Sequence, residues 1–563
     1  MRNRSKSIAF ILCIAAIAVL IGASQPSHAN TLRGYAAAGY TPVGSVARAY
    51  CIQNNPGAYN STLNNEYNLL GAENELKMYN WTGWNGDPMT GTPIISDNWA
   101  AADTIANFAR SHGMRMRGHC LVYHTVVPQF LNPNGDNSSS PYTDAQIQSM
   151  VRIYINTIMR RYADVIDYWD VTNEMFHGDG TVKNTWTNWS SGSPVETNDF
   201  WLQHLGGYNV TSYFNNIYSW AHAAVPNCKL YYNDFGTEYP GTEFNGMLNT
   251  LTTLRNNGCP IDGIGFQCHD STGSPSQVLS TQNTQAVDNA GFQWQVTEFD
   301  CWTPAGSPDW TTQNSIYSGA TNICTNDKNC RGFMTWGFTD AFSWLPTPDG
   351  LPFDTSYNKK TGYWAIDYMY ANAPVLGPAG WMYACDEWNT KYFSTPVDVA
   401  FGAGNNCWCQ YGDSGNVTFT TTAWGGDPAP GTAKNGYFTD YTWCAPEWGS
   451  YTFTMPVDVA FGANGSYYYN TATSGTVSFN TTDWGGDPAP GYSKSGYYKT
   501  YNYACGENGT YTLPGVPCNV AYGANGHYYF MKNVTGTIAF NNSAFGGDPC
   551  PGVVKSGYWR PSH

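Results

Sequence analysis

The sequence has few charged residues and no long hydrophobic run after its first 30 residues, and each shortage excludes a class of protein. Only 12% of the 563 residues are charged, and 41 acidic against 26 basic side chains give a net charge of −15. A chain with this negative charge has no general attraction for nucleic acids or anionic membranes. We therefore expect neither as a partner. The aromatic share of 16% can form cores, which excludes a disordered chain.

The first 29 residues have the three-part layout of a secretory signal peptide. Arg2, Arg4 and Lys6 precede an apolar run over residues 8–23, and Ser-His-Ala follows at 27–29. A membrane anchor is the alternative, but the run is shorter than the roughly 20 residues that span a bilayer. We therefore predict a signal peptide over residues 1–29 and a secreted, extracellular protein.

The sequence also lacks a Cys-x-x-Cys pair, although it contains 16 cysteines. Cys407 and Cys409 are too close together for a zinc knuckle, and no histidine pair follows at the spacing of a zinc finger. We expect neither a metal nor another cofactor. Export instead permits disulfide bonds.

The last third of the chain is a threefold repeat with a period of 60 to 61 residues. A Pro-Val-Asp-Val-Ala segment starts at Pro396 and recurs at Pro456 and, altered, at Pro517. Alternating apolar residues between Gly, Asn and Pro clusters indicate short antiparallel strands. We predict three all-β modules after a short linker over residues 373–380. Their bounds are 381–440, 441–501 and 502–563.

Residues 30–372 have a different pattern, in which helices alternate with β-rich runs. Helical periodicity is clear over residues 96–113 and 143–164. Strand and helix alternating over about 340 residues favour a parallel α/β fold, and the length favours a (β/α)8 TIM barrel over an open sheet. The β-rich runs are 115–124, 165–174, 230–235, 261–269, 292–299 and 333–339.

Two carboxylates, Glu174 and Glu298, stand at the ends of separate predicted strands. In a (β/α)8 barrel the active site lies at those carboxyl ends. Either glutamate alone would more often be a surface acid or part of a structural ion pair. Amides, histidines and tryptophans surround both, and paired carboxylates with aromatic walls suit cleavage of a glycosidic bond.

Over about residues 40–370 the sequence resembles the family 10 glycoside hydrolases, chiefly endo-1,4-β-xylanases. Seven stretches occur in the order of that family. The resemblance implies a retaining mechanism on xylan or a related plant cell-wall polysaccharide, with Glu298 as nucleophile and Glu174 as acid and then base. The matching stretches are 73–77, 119–124, 169–174, 230–234, 261–267, 297–300 and 336–344.

The resemblance also implies roles for residues around the two glutamates. Asn173 would bind the sugar 2-hydroxyl, and Trp336 and Trp344 would wall the sugar. Cys324 and Cys330 match a disulfide of the family. The residues implied to contact substrate are Glu73, Asn74, Lys77, His119, Tyr123, Asn173, Gln267, His269, Trp336 and Trp344. Those expected to support them are His124, Asp234 and Asp300.

The sequence departs from the family at Tyr123, where tryptophan is usual, and at Val126, where glutamine is usual. Both positions face the glycone side. Two alternatives therefore stay open: a hydrolase of another β-1,4-glycan, and a polysaccharide-binding protein without activity.

For the three modules we predict polysaccharide binding, because exposed aromatic rings stack on sugar faces and repetition raises effective concentration. The alternative is that these rings form module cores and the modules are spacers or surface attachments. Cys518 and Cys550 occur together only in the third copy, which indicates a bridge there. The predicted platforms are Trp424, Trp484, Phe545, Tyr437, Tyr497 and Tyr558.

Overall fold

The computed structural model describes residues 31–562 except 38–40, 136–138, 188–195, 346, 348, 375–376, 379 and 405. The predicted signal peptide lies outside this part of the chain. Among the described residues, no helix is long and apolar enough to cross a membrane.

Eight parallel strands, numbered β1 to β8, close into a barrel. Each pairs with the next along the chain, and β8 pairs with β1, so the sheet has no free edge. This arrangement confirms the predicted (β/α)8 barrel. The strands are β1 Val43–Ala47, β2 Leu69–Ala72, β3 Arg115–Gly118, β4 Ile166–Asn173, β5 Lys229–Asp234, β6 Gly263–Phe266, β7 Gln293–Trp302 and β8 Cys330–Thr335.

Helices surround the barrel and begin where the sequence provides caps. Thr143 accepts a hydrogen bond from the Gln146 backbone while the Gln146 side chain returns one, a capping box that starts the helix Asp144–Arg161. That helix buries Ile147 and Tyr154, so the predicted stripe faces the core. The other helices are Leu32–Ala37, Ala49–Asn54, Ala58–Glu66, Ala100–Ser111, Phe200–Gly206, Val210–Ala224, Thr242–Asn256, Thr281–Asn289, Trp310–Thr325 and Thr361–Asn372, with 3-10 turns at Met78–Asn80 and Asp340–Phe342.

Short strands decorate the loops of the barrel. Two of them form a hairpin between β2 and the next helix, and another pair follows β4. These strands are Trp81–Asn85, Thr92–Ile95, Val122–Tyr123, Thr185–Thr187, Glu196–Asn198 and His269–Ser271.

Three antiparallel units follow the barrel, each with its own apolar core, and this confirms the all-β class of the C-terminal part. The first consists of Met382–Asp386, Thr390–Ala403, Asn406–Thr418 and Asn435–Asp440. The second consists of Thr442–Pro446, Gly449–Ala463, Ser466–Phe479 and Ser495–Thr500. The third consists of Asn502–Gly506, Gly509–Thr512, Cys518–Ala524, His527–Val534, Thr537–Phe540 and Ser556–Pro561.

The aromatic residues predicted as sugar platforms belong largely to these cores. Trp424 is buried against Phe401 and Phe419, and Tyr437, Tyr497 and Phe545 are also buried. A ring that packs inside its own module cannot present a face to a ligand, so the prediction is wrong for these residues.

The modules pack on the barrel at the amino-terminal ends of its strands. Arg331, near the start of β8, donates from Nη2 to the Tyr383 carbonyl at 2.8 Å. Asn227, just before β5, donates from Nδ2 to the Tyr441 carbonyl at 2.6 Å. The first and second modules therefore lie at the end of the barrel opposite the carboxyl ends of the strands.

A single arginine near the carboxyl terminus joins all three modules. Arg560 of the third module donates from Nη2 to Asp398 of the first at 2.7 Å and from Nε to Asp458 of the second at 2.7 Å. The three side chains are at most 6% exposed. Two buried carboxylates from different modules therefore share this one guanidinium.

Cys324 and Cys330 form a disulfide bond, as the family resemblance implies. Cys518 and Cys550 are both free thiols, so the predicted bridge between them is wrong. Cys518 lies buried in a strand, where its thiol donates to the Val516 carbonyl at 3.3 Å. Cys550 lies in a turn held by Asp548.

We predict that Arg560→Met destabilises the modules by about 3–5 kcal/mol, because it removes the guanidinium that pairs with both buried carboxylates, Asp398 and Asp458. Chemical unfolding followed by circular dichroism measures the change. The control is Lys532→Met, which removes only an exposed contact to Thr471. Equal unfolding midpoints for the two variants would contradict the role of Arg560.

Candidate active site

The carboxyl ends of β4, β6 and β7 bring the two predicted glutamates to one end of the barrel. Glu174 directly follows β4, and Glu298 lies within β7. Gln267 and His269 follow β6. Glu298 is only 4% exposed, whereas Glu174 is half-buried. One carboxylate therefore sits in the floor of the site and the other at its wall.

The backbone at Glu174 is strained in a way that fixes the direction of its side chain. Its φ is 58°, a left-handed conformation that a glutamate adopts only when its surroundings impose it. Its N–H donates to the Asn233 carbonyl on β5 at 2.9 Å. Its carboxylate accepts hydrogen bonds from Gln267 Nε2 at 2.9 Å and from the Tyr123 hydroxyl at 2.7 Å. Glu174 is thus held from three sides.

A chain of side-chain hydrogen bonds connects the two glutamates. Asn173 Nδ2 donates to Glu174 Oε1 at 3.2 Å. Asn233 Nδ2 donates both to Asn173 Oδ1 at 2.9 Å and to Glu298 Oε1 at 2.6 Å. Thr297 in turn donates to Asn233 Oδ1 at 2.7 Å, which fixes the orientation of that amide. The relative position of the two carboxylates is therefore set by two asparagines on neighbouring strands.

Two histidines keep the Glu298 carboxylate ionised. Burial alone would raise the pKa of Glu298, but the charge of His119, the hydrogen bond and charge of His269, and the charge of Lys77 lower it to about 2. His269 Nε2 lies 3.4 Å from Glu298 Oε2, and His119 Nδ1 lies 3.8 Å from Oε1. An ionised carboxylate without water around it is suited to act as a nucleophile.

Each of these histidines is paired with a buried aspartate. His119 Nδ1 lies 2.9 Å from Asp170 Oδ2, and His269 Nδ1 lies 3.1 Å from Asp300 Oδ2. Burial disfavours the charged imidazole of His119, yet Cys120, Glu298 and Asp170 together raise its pKa to about 10. Burial likewise opposes the charge of His269, but Asp300 and Glu298 raise its pKa well above the usual value. The aspartates thus stabilise the charged imidazoles of His119 and His269, which carry the positive charge beside Glu298.

The residues expected on the glycone side form a second cluster beside Glu298. Lys77 Nζ donates to Asn74 Oδ1 at 3.1 Å and lies 5.5 Å from the centre of the Trp336 ring. Asn74 contacts Glu73, which forms an ion pair with Arg48. The cluster places several donors and acceptors at one edge of the site, as a sugar hydroxyl requires.

Two tryptophans border the site at different depths. Trp336 is buried with its ring edge-on to His119 at 5.1 Å. Trp344 is 49% exposed, and its Nε1 donates to Asp300 at 2.8 Å. Its exposed face is free to contact a ligand, whereas its buried edge holds the aspartate of His269.

The supporting residues differ in how close they lie to the glutamates. His124 is buried, which lowers its pKa to about 3, so it is neutral. Asp234 accepts a hydrogen bond from the Tyr232 hydroxyl. That hydroxyl in turn accepts a hydrogen bond from the Met175 N–H at 2.8 Å. It therefore acts on the backbone that follows Glu174.

Sequence reasoning missed Asn233, the neighbour of Asp234 that contacts Glu298 directly. It also treated Tyr123 as a glycone-side residue and did not foresee its bond to Glu174. Asn233 follows Tyr231 and Tyr232 and precedes Asp234. Only the inward direction of its side chain would have marked it as a site residue. That direction was the available signal, because alternate residues of a barrel strand point inward.

Residues 31–368 match the family model described as glycosyl hydrolase family 10. The chain belongs to this family. Among its relatives, endo-1,4-β-xylanase D of Talaromyces funiculosus is 31% identical over 279 residues, which are 48% of this chain and 63% of that protein. The endo-1,4-β-xylanase of Agaricus bisporus is 31% identical over 311 residues, 54% of this chain and 82% of that protein.

Among solved family 10 structures, native xylanase 10B from Thermotoga maritima superposes with a TM-score of 0.51 at 24% identity. The match covers 60% of this chain and 98% of that one. It supports the barrel fold. The match to the Talaromyces relative covers less than two thirds of that protein. The C-terminal modules of this chain lie outside the region that the family model matches.

We predict that His269→Gln raises the pKa of Glu298 toward the ordinary glutamate value of about 4.3, because it removes a positive charge and a hydrogen bond. A ¹³C NMR titration of carboxyl-labelled glutamate measures this. In the wild type, ionised Glu298 stabilises the fold above about pH 4.3, and this contribution is lost only as the pH falls toward 2.

The matched control for this titration is His124→Gln, which removes a neutral histidine of the same site. Glu298 should titrate in that variant as in the wild type. An unchanged Glu298 titration in His269→Gln would show that His269 carries no charge beside it.

Proposed function

We propose that this protein is a secreted, retaining endo-1,4-β-xylanase that hydrolyses internal xylosidic bonds of xylan. The observation that carries the proposal is the pairing of a buried, ionised Glu298 with a half-buried Glu174 through Asn173 and Asn233. The names of the fungal relatives support xylan as the substrate. The retaining course is a property of the family.

In the first step, a Glu298 oxygen attacks the anomeric carbon. The glycosidic C–O bond breaks as Glu174 gives its proton to the leaving oxygen, and an ester joins the sugar to Glu298. The hydrogen bonds from Tyr123 and Gln267 hold the Glu174 carboxyl in place for this transfer. The positive charge of His119 and His269 keeps Glu298 deprotonated before the attack.

In the second step, water replaces the sugar on Glu298. Glu174 takes a proton from the water, the water oxygen attacks the anomeric carbon, and the ester bond to Glu298 breaks. Ester formation has removed the negative charge of Glu298, so Glu174 acts as a base without a second carboxylate charge beside it. The hydrogen bonds of Asn173 and Asn233 keep the two carboxyl groups in the same relative position during both steps.

The remaining residues position the sugar. When the sugar binds, Asn173 would give up its hydrogen bond to Glu174 and form one to the 2-hydroxyl of the sugar. That hydrogen bond strengthens in the transition state. The cluster of Glu73, Asn74 and Lys77 binds the glycone, and Trp344 offers its exposed face as a wall.

A second candidate keeps the same chemistry on another β-1,4-glycan. It is favoured by Tyr123, whose hydroxyl points to Glu174 and not to the glycone side, and by Val126, whose carbonyl accepts from Trp201 Nε1 at 3.0 Å. Neither residue offers the glycone the indole or the amide that the family usually places there. Hydrolysis rates on xylan, glucomannan and mixed-linkage glucan distinguish the two candidates.

The proposal includes the organisation of the chain. Residues 1–29 are a signal peptide, residues 30–372 are the catalytic domain, and residues 373–380 are a linker. The three modules, with the bounds given above, bind polysaccharide and keep the catalytic domain at its substrate. Their repetition supports this role, because several weak sites on one chain raise the effective concentration at an insoluble polymer.

We predict that the protein releases reducing ends from xylan, that Glu298→Ala abolishes the release, and that Glu174→Ala lowers kcat/KM on xylan by about 10²–10⁴-fold. A reducing-sugar assay measures the rates. NMR of the first product should show the β-anomer, since two displacements preserve the configuration.

The control for these variants is Asp179→Asn, which removes an exposed carboxylate on the loop after Glu174 that bonds only to Thr181. It should retain wild-type activity. A folded wild-type protein that releases nothing from any of the three glycans would instead favour the binding protein without activity.

We predict for the modules that a fragment of residues 381–563 is retained on insoluble xylan or cellulose. A depletion assay measures the fraction bound, and albumin serves as the control for nonspecific adsorption. Free passage of the fragment over both polymers would contradict polysaccharide binding by the modules.

A further inference from the structure

Two tryptophans occupy the same exposed position in the first and second modules. Trp388 is 68% exposed and Trp448 is 71% exposed, more than the other tryptophans in the described part of the chain. Both lie in the turn that precedes the long second strand of their module. The third module has Asn508 at the equivalent position.

The backbone at this position is left-handed in all three copies. Its φ is 74° at Trp388, 67° at Trp448 and 65° at Asn508. Asparagine tolerates this conformation well, whereas a bulky residue is strained in it. The fold of the turn is therefore best served by the asparagine of the third copy. The indoles of the other two copies stand largely exposed on this left-handed backbone, and this points to a contact outside the chain.

The turn is held rigidly by a repeated network of charges. Glu387, just before Trp388, lies 3.4 Å from Lys434, and that lysine lies 3.2 Å from Asp427. The Lys434 side chain is only 6% exposed. The same three residue types recur at equivalent positions and similar distances in the second and third copies, as Glu447–Lys494–Asp487 and Glu507–Lys555–Asp548.

A second partly exposed ring lies at the other side of this network. Asp427 belongs to the Gly-Gly-Asp-Pro turn, and the Trp408 ring covers Gly426 so closely that a Cβ there would lie 2.7 Å from it. Trp408 is 43% exposed. Tyr468 and Tyr529 take its place over the matching glycines in the other copies, with exposures of 41% and 43%.

The charges of this surface select a neutral ligand. Each network combines one lysine with two carboxylates, and these groups pair with one another. The excess of one negative charge disfavours an anionic polymer. A flat, exposed indole on a rigid turn suits the apolar face of a sugar ring, which stacks on aromatic side chains.

We propose that Trp388 and Trp448 are the stacking platforms of two binding sites for the main chain of a neutral β-1,4-linked xylan. The third module lacks this platform because Asn508 replaces the indole. This assignment rests on the proposed polysaccharide binding by the modules and names the residues that perform it.

The test uses the full chain carrying Glu298→Gln, so that xylan is not consumed. Trp388→Asn and Trp448→Asn copy the third module and should preserve the turn, which a thermal melt verifies. Depletion on insoluble xylan should show about tenfold weaker binding for each variant and about a hundredfold for the pair. The matched control is Trp364→Asn, an indole 54% exposed on a barrel helix, which should bind as the unsubstituted chain does.

Three results overturn the assignment, and they are distinguishable. Equal binding of the double variant and the unsubstituted chain removes these two platforms. No binding by the unsubstituted chain removes the proposed binding itself. Tighter binding to cellulose than to xylan removes xylan as the occupant. Hydrolysis of a short soluble xylo-oligosaccharide, measured with Glu298 restored, should be unchanged by both tryptophan substitutions and reports separately on catalysis.

Discussion

The ionised state of a buried carboxylate is the constraint on which the catalytic end of the barrel depends. Glu298 is almost excluded from water, and it keeps its charge because His119, which follows β3, and His269, which follows β6, both lie close to its carboxylate. Each histidine keeps its own charge through a buried aspartate. The motif stretches are thus parts of one electrostatic arrangement, and removing either histidine raises the pKa of Glu298.

Much of the barrel and its site could be predicted from the sequence, since parallel strands end at the same face and their terminal residues must meet there. The pairing of Glu174 with Glu298 follows from that rule and from the family resemblance. The contact of Tyr123 with Glu174 does not, because it depends on the turn that Trp201 ties together by donating to the Tyr123 and Val126 carbonyls. Such a tie joins residues far apart in sequence and leaves no local pattern.

The modules were harder to predict in detail. Their repeat reveals three β units, yet Trp424 and Trp388 look alike in sequence, as aromatic residues beside turn-forming ones. Trp424 follows a strand and packs back over Phe419. Trp388 itself has a left-handed backbone conformation, and its side chain is exposed. The difference is a matter of backbone conformation, which hydrophobic periodicity does not encode. The buried ion pairs of Arg560 could not be predicted from the sequence either, because they join three copies whose residues differ at the equivalent positions.

The docking of the modules on the amino-terminal ends of the barrel strands places the proposed polysaccharide-binding surfaces at the opposite end of the barrel from the catalytic glutamates. A polymer segment lying on the modules and a segment lying between Glu174 and Glu298 are on opposite ends of the molecule. One short stretch of xylan cannot occupy both. If the modules bind polysaccharide, they would hold the enzyme on one chain of a fibre while the active site acts on neighbouring or looped chains. Such tethering would widen the area that the enzyme can degrade, but it would not guide the bound chain into the active site.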